Sequence, residues 1–336
     1  MTFPQQAVAE ALVNESQATL VWAVTGAGKT EMLYPLLVAR LAHGEKILLT
    51  APRIDVCNEL YLRLINVFPE KVISLYHGKK RIEGTGQLVI ATVPQTLRFK
   101  EHFALVIVDE VDAFPYVNDP LLQRAVKQAK TKTGRLVYLS ATPDKKMLQE
   151  LVVLRLPARF HRRKLPVPQI VQPLFLKRQL QRGRLPKKVI QLVQECLTEN
   201  DVLLFCPSIE LLQALGKQLT LYFPETKATT VHARDEERIE KIEGLRAQKF
   251  NLLLTTTILE RGVTFERVSV IVLDCSHPNY SKASLVQIAG RADRKSFQHA
   301  KVYFVTAEMT REIKNAIREI KDNNQLARKR GLLDEM

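Results

Sequence analysis

The stretch of residues 21–31, VWAVTGAGKTE, constrains this chain more than any other. The apolar run TLVWAV leads into the loop Thr25-Gly26-Ala27-Gly28-Lys29-Thr30, and a helix-forming segment follows. Strand, glycine loop and helix in that order form the frame of a phosphate-binding loop. Gly26 and Gly28 let backbone N–H groups turn inward with no Cβ in the way. Together with the helix N-terminus, those groups make an anion site. Lys29 supplies an ammonium for the β- and γ-phosphates, and Thr30 a hydroxyl for Mg²⁺. Ala23 stands where the eight-residue form has its first glycine, so the pattern is A-x-x-G-x-G-K-T.

Around that loop, short apolar runs alternate with amphipathic stretches. TLVWAVT, KILLTAP, KVISLYHG, QLVIAT, ALVIVDE and RLVYLSAT read as strands. Several are apolar throughout, which suits a parallel sheet covered on both faces. Residues 29–43, 54–68 and 119–131 read as crossover helices. Pro35 lies inside the first, so a kink is expected there. Strand–helix alternation predicts a doubly wound α/β domain. A second set follows: DVLLFCP, ATTVHA, NLLLTTT, VSVIVLD and KVYFVT as strands, with helices near 187–199, 209–221, 236–248 and 284–291. The expected fold class is therefore α/β, two tandem parallel-sheet lobes. Lobe 1 covers residues 1–156 and lobe 2 residues 169–336. A basic, proline-rich linker (157–168) joins them, with Pro157, Pro166 and Pro168. The tail, 309–336, is charged and helix-prone, and a frayed end is expected.

A chain of 336 residues with 46% apolar content suffices for two cores. No run approaches ~18 uncharged apolar residues, so no transmembrane helix is expected. The opening MTFPQQAVAEAL does not read as a signal peptide. The expected location is cytoplasmic, with peripheral attachment at the inner membrane face left open. Cys57, Cys196, Cys206 and Cys275 form no C-x-x-C pair. They are expected to be small buried side chains, with no zinc site in this chain. The net charge of +15 is unevenly spread: between Leu151 and Gln194 there are eleven Lys and Arg and no acid. That window points to polyanion contact.

Chemistry-bearing residues recur at strand ends. Asp109-Glu110-Val111-Asp112 closes LVIVDE, and carboxylates at such an end face the same crevice as the phosphate loop. Asp109 is expected to hold Mg²⁺, and Glu110 to orient or deprotonate an attacking water. Ser140 and Thr142, in S-A-T, end the next strand. Their hydroxyls are expected to bond the acidic pair and transmit nucleotide state. In the second half, Q-I-A-G-R-A-D-R places Arg291 and Arg294 three apart on one helix face. Planar guanidinium donors suit charge spreading over a transferred phosphoryl group. TTTILERGVTF follows a strand and offers hydroxyls and close backbone approach through Thr256 and Gly262.

In this order, TGAGKT, DEVD, SAT, LERGVTF and QIAGRADR resemble motifs I, II, III, V and VI of the superfamily 2 helicases. The resemblance spans nearly the whole chain. It implies two RecA-like lobes with the ATP site in the cleft between them. It also implies ATP and Mg²⁺ as cofactors, and a catalytic set of Lys29, Asp109, Glu110, Gln287, Arg291 and Arg294. Nucleotide contacts would come from Thr25, Gly26, Ala27, Gly28, Lys29, Thr30 and Gly262. They would also come from Gln5, because T-F-P-Q is similar to the adenine-reading stretch. Arg53, Thr92, Arg98, Ser208 and Thr256 resemble nucleic-acid-contacting positions. Within the superfamily, DEVDAFPY, RFHRRKLPVP and LVQIAGRADR resemble the competence helicases of the ComFA type, relatives of the PriA type. That resemblance implies a DNA-dependent ATPase driving single-stranded DNA uptake, with ComFC and the membrane channel ComEC as partners.

Two departures qualify it. The family typically carries a four-cysteine zinc module ahead of lobe 1, and none precedes TFPQ here, so zinc dependence is not carried over. Motif VI usually reads G-R-x-G-R, and Asp293 stands at the second glycine, where it is expected to pair with the arginines. Rival readings are a PriA- or RecG-like repair or replication-restart helicase, a DEAD-box RNA helicase, and a catalytically weak nucleic-acid scaffold.

Overall fold

The structure is a computed structural model describing residues 1–261, 265, 267–293 and 300–334. The chain divides into two compact units, Met1–Arg162 with Arg330–Met336, and Arg163–Lys329. It therefore passes between units twice.

The first unit opens with α1 (Phe3–Asn14), β1 (Thr19–Ala23), α2 (Lys29–Ala42), β2 (Ile47–Ala51), α3 (Ile54–Val67), β3 (Ile73–His77) and β4 (Lys80–Ile82). It continues with β5 (Leu88–Thr92), β6 (Phe103–Val108), α4 (Pro120–Ala129), β7 (Lys130–Ser140), α5 (Lys145–Glu150) and β8 (Val152–Leu156). The sheet order is β4-β3-β5-β2-β6-β7-β1-β8, parallel except for β4, which runs antiparallel to β3. Every residue of β2 and β5 is buried, as expected where helices cover both faces. Leu20, Leu48, Phe103, Val106, Val108 and Tyr138 anchor one core layer.

The second unit holds β9 (Gln169–Val171), α6 (Leu176–Gln181), α7 (Lys187–Leu197), β10 (Asp201–Phe205), α8 (Ile209–Gly216), α9 (Leu219–Tyr222) and β11 (Ala228–Val231). Then come α10 (Arg238–Arg246), β12 (Leu252–Thr255), β13 (Val268–Val272), α11 (Lys282–Ala289), β14 (Val302–Val305) and α12 (Arg311–Lys329). Among the described residues its six strands are all parallel, in the order β11-β12-β10-β13-β14-β9. Val202, Leu204, Leu252, Leu254 and Ile271 pack against Val189 and Leu192 of α7. Parallel pairing brings the C-terminal ends of the strands to one edge of each sheet, where the loops that follow them gather.

The architecture is the α/β type expected, with four local corrections. β8 adds a parallel edge strand beside β1, with Leu20 opposite Val153. β9 and α6 lie between the expected linker and the helix expected near 187–199, where no element was assigned. The segment 209–221 is two helices, because α8 ends at Gly216 and α9 begins at Leu219. The tail, expected to fray at its end, is held as far as Asp334, and residues 335 and 336 lie outside the described residues. The Arg330 guanidinium donates to Arg155 O at 3.0 Å, and Asp334 pairs with Arg162 at 2.8 Å. All four cysteines are buried. Burial pushes the Cys57 thiol up to about 12, so it packs as a neutral side chain.

Candidate nucleotide site and nucleic-acid interface

The phosphate loop follows β1 in the first unit. Gly26 (φ 79°) and Gly28 (φ 77°) both adopt the left-handed conformation that glycine reaches without cost. A Cβ on Gly28 would lie 2.3 Å from Gln5 Nε2, so glycine is required there for space as well. The loop's carbonyls are tied from three sides. Lys29 Nζ donates to Ala23 O at 3.1 Å and Val24 O at 3.4 Å. Gln5 Nε2 donates to Ala27 O at 2.8 Å, while Gln5 Oε1 accepts from the Thr2 N–H at 2.7 Å. Arg159 Nε donates to Thr25 O at 3.1 Å. Because each peptide is planar, fixing a carbonyl also fixes the N–H of the same peptide. Gln5, expected to read adenine, is buried and braces the loop directly.

Asp109 lies at the end of β6, its N–H donating to Thr50 O at 2.8 Å and its Oδ1 accepting from the Glu110 N–H at 2.8 Å. Glu110 takes φ 51°, a conformation costing about 1 kcal/mol or more for a non-glycine residue. The Val111 N–H donates to Leu139 O at 3.3 Å, lacing the acidic segment to the end of β7. That lacing carries Asp112 over the S-A-T hydroxyls. Ser140 Oγ donates to Asp112 Oδ1 at 2.8 Å, and Thr142 Oγ1 to Oδ2 at 2.6 Å. The hydroxyls thus engage Asp112, not Asp109 and Glu110. Sequence reasoning passed over Asp112 as a site residue, although it is the last acid of the box.

The donor set also tests whether Mg²⁺ fits. Among the described residues, no group of three or more His, Cys, Asp or Glu could hold a metal. Thr30 and Asp109 contribute hard oxygens only. Mg²⁺ is commonly held by one or two such groups, with nucleotide phosphates and water completing the shell. The residues fit an ion that arrives with its nucleotide.

In the second unit, Gln287 is buried on α11. Arg291 is also buried, and its Nε and Nη2 both donate to Glu260 O, at 2.9 and 2.6 Å. The Glu260 carboxylate accepts from Ser284 Oγ at 2.5 Å. Arg291, expected on a helix face, follows the end of α11 at Ala289 in a turn, where its guanidinium holds the Glu260 carbonyl while Ser284 of α11 holds the Glu260 carboxylate. Arg294 and Gly262 lie outside the described residues. Asp293 has φ 54°, which explains the glycine usual at that position: the chain turns left-handed there, and Asp tolerates this better than most residues.

The nucleic-acid candidates follow strand ends in their own units. Arg53 caps α3 after β2, and Thr92 closes β5. Arg98 is exposed beyond it. Ser208 caps α8 after β10, its Oγ accepting from the Leu211 N–H at 3.2 Å, and Thr256 follows β12. Thr92 and Thr256 are buried, which leaves Arg53, Arg98 and Ser208 the more accessible of the five. The basic window is not one uniform face. Arg159 is only 2% exposed, and Arg155 stacks 3.8 Å over the Trp22 ring. Lys164, Arg178, Arg182, Arg184, Lys187 and Lys188 are exposed.

Comparison with known proteins places this geometry. Residues 2–151 match the DEAD/DEAH box helicase family, and residues 185–296 the helicase conserved C-terminal domain. The chain is 40% identical to the competence protein ComFA of Streptococcus pneumoniae, covering 96% of this chain and 77% of that one. It is 38% identical to ComFA of Bacillus subtilis, covering 97% and 72%. The ATP-dependent DNA helicase RecG of Helicobacter pylori is 27% identical over 81% of this chain and 45% of that one. Among solved structures, S. cerevisiae Dbp5 bound to RNA and ADP BeF3 gives a TM-score of 0.72 at 17% identity, covering 96% of this chain and 87% of that one. Mycobacterium smegmatis Lhr bound to ssDNA and AMP-PNP gives 0.72 at 19%, covering 96% and 48%. At those identities the two structures speak for the fold alone.

Proposed function

We propose a function from the premise that this chain belongs to the ComFA competence proteins, ATP-dependent helicases of superfamily 2: it is a DNA-dependent ATPase that moves along single-stranded DNA and draws transforming DNA into the cytoplasm. The observation that carries the reading is the phosphate loop. Its two left-handed glycines, and a lysine resting on the loop's own carbonyls, have the form of a phosphate cradle.

In the proposed cycle, Lys29 exchanges the Ala23 and Val24 carbonyls for the β- and γ-phosphates. Mg²⁺ held by Thr30 and Asp109 would neutralise charge developing on those phosphates. Glu110 orients the attacking water. Asp112 reads the state of the acidic segment and passes it to Ser140 and Thr142. The second unit supplies Gln287 and Arg294, while Arg291 keeps the Glu260 segment in shape for them. Arg53, Arg98, Ser208 and the exposed bases bind strand phosphates without regard to sequence, so affinity falls steeply with salt. ComFC and the channel ComEC are the proposed partners. Among the described residues, no helix is long and apolar enough to cross a membrane.

The test is the steady-state ATPase rate with no polymer, single-stranded DNA, duplex DNA and RNA, beside Lys29→Ala. Strong stimulation by single-stranded DNA, absent in Lys29→Ala, is the expected result. Stimulation by RNA over DNA would favour an RNA helicase. No hydrolysis with any polymer would favour the scaffold.

A further inference from the structure

We infer that Arg159 is a positioning residue of the phosphate loop, held in place by the C-terminal tail, so that the two passages of the chain between units set the loop's affinity for nucleotide. The inference rests on the ATPase reading above.

Arg159 lies three residues beyond the end of β8 and three before the first passage, at Arg162. Its side chain is buried, lies along Gly26 (Nε is 3.5 Å from where a Cβ would sit) and donates to Thr25 O. A guanidinium costs much to bury and is seldom spent on mere filling. Here it fixes the peptide that enters the first left-handed glycine. The backbone that presents Arg159 is fixed in turn. The Arg162 N–H donates to Arg159 O at 3.1 Å, closing a turn in which Arg162 takes φ 59°.

The tail grips that turn. Asp334 pairs with the Arg162 guanidinium at 2.8 Å, and the Asp334 N–H donates to Arg162 O at 3.0 Å. Arg162 Nη2 also donates to Gly331 O at 3.2 Å. A second branch leads elsewhere. Arg330 donates to Arg155 O, the Arg155 side chain stacks on Trp22, and Trp22 Nε1 donates to Ala141 O at 3.2 Å. Ala141 is the centre of S-A-T. The tail therefore reaches both Arg162, which leads to the phosphate loop, and Arg155, which leads to the segment that Asp112 holds. On the far side of both passages, in the second unit, Asn324 of α12 brackets Leu165, accepting from its N–H at 2.7 Å and donating to its O at 2.9 Å. Both passages are thus clasped to each other within each unit, and any movement that strains them bears on Arg159.

The experiment measures KM and kcat for MgATP, with and without single-stranded DNA. It uses the full chain, Arg159→Met, Arg159→Lys, a chain ending at Lys329, and the shortened chain carrying Arg159→Met. Arg159→Met is expected to raise KM about tenfold with kcat changed less than threefold, as for lost uniform binding. Arg159→Lys keeps one donor and should recover most of the loss. Removing residues 330–336 should raise KM about threefold, and adding Arg159→Met to it should give no more than Arg159→Met alone, as for two changes in one linkage. An unchanged KM with a lowered melting temperature would overturn the proposal, because Arg159 would then be structural only. Effects that multiply in the combined variant would also overturn it. If Arg159→Met does not fold, an unchanged KM in both Arg159→Lys and the shortened chain has the same force. A wild-type rate no higher than that of Lys29→Ala would be a different failure, removing the ATPase reading and this inference with it.

Discussion

Gly28→Ala is the sharpest perturbation of the phosphate loop, because the structure says what the added methyl meets. It would sit 2.3 Å from Gln5 Nε2 and 3.2 Å from Glu31 Oε2, on a backbone with φ 77°. Holding alanine in the left-handed region costs about 1–2 kcal/mol. Clearing the methyl moves the Gln5 amide off Ala27 O, a hydrogen bond worth about 1 kcal/mol. The sum is about 2–3 kcal/mol, or about 30- to 150-fold in nucleotide affinity if the loop must regain its shape to bind. Gln5→Ala removes the obstacle but leaves the backbone cost. In that background Gly28→Ala should therefore cost about 1 kcal/mol less, a measurable coupling. Titration of a fluorescent ATP analogue against the four proteins, with melting curves alongside, gives both terms. Gly28→Ala binding within threefold of wild type, with an unchanged melting temperature, would refute the reasoning. A coupling near zero would show that Gln5 does not brace the loop.

Three further outcomes are expected. Asp112→Ala leaves Ser140 and Thr142 without their shared acceptor; ATP affinity should stay within about threefold while DNA stimulation falls at least about tenfold, the split expected of a linkage rather than a binding group. At position 293, Asp293→Gly should leave stability within about 0.5 kcal/mol and kcat within about threefold, because relief of the left-handed turn is offset by glycine's added freedom in the unfolded chain. Asp293→Val should cost about 2 kcal/mol by denaturant titration, since a β-branched residue fits a positive φ poorly. Burial pushes the Asp201 carboxyl up to about 6, partly offset by Arg267. Its ionisation therefore opposes folding, with no penalty below about pH 4 and the full penalty above about pH 6. Asp201→Asn should add about 1 kcal/mol at pH 7.5, a figure reduced for the group's partial exposure, and nothing near pH 4. Melting curves across that range decide it.

What was legible in the sequence was what local chemistry dictates. Gly26 and Gly28 announce left-handed turns, and Val- and Ile-rich runs announce strands covered on both faces. The acids of DEVD must follow a strand end to be useful. Contacts between segments far apart in the chain were not legible. Arg159 reads as one more base in a basic stretch, and only the pairing of β8 with β1 brings it to Thr25, 134 positions away. Asp112 and the S-A-T hydroxyls were each visible, but their pairing depends on the Val111-to-Leu139 lacing. Arg291 looked like a free donor because nothing in Q-I-A-G-R says that Glu260 O lies within its reach. The tail looked frayed because its partners, Arg155 and Arg162, sit in the other half of the chain. The usual glycine of motif VI was noted as replaced by Asp293, and the backbone φ supplies the reason for that glycine.

The central claim is that hydrolysis at the phosphate loop moves this protein along single-stranded DNA. It is tested most directly by displacement of streptavidin from oligonucleotides biotinylated at one end or the other. The account predicts ATP-dependent displacement from one end only, none with a non-hydrolysable analogue, and none by Lys29→Ala. DNA-stimulated hydrolysis with no displacement from either end would contradict it.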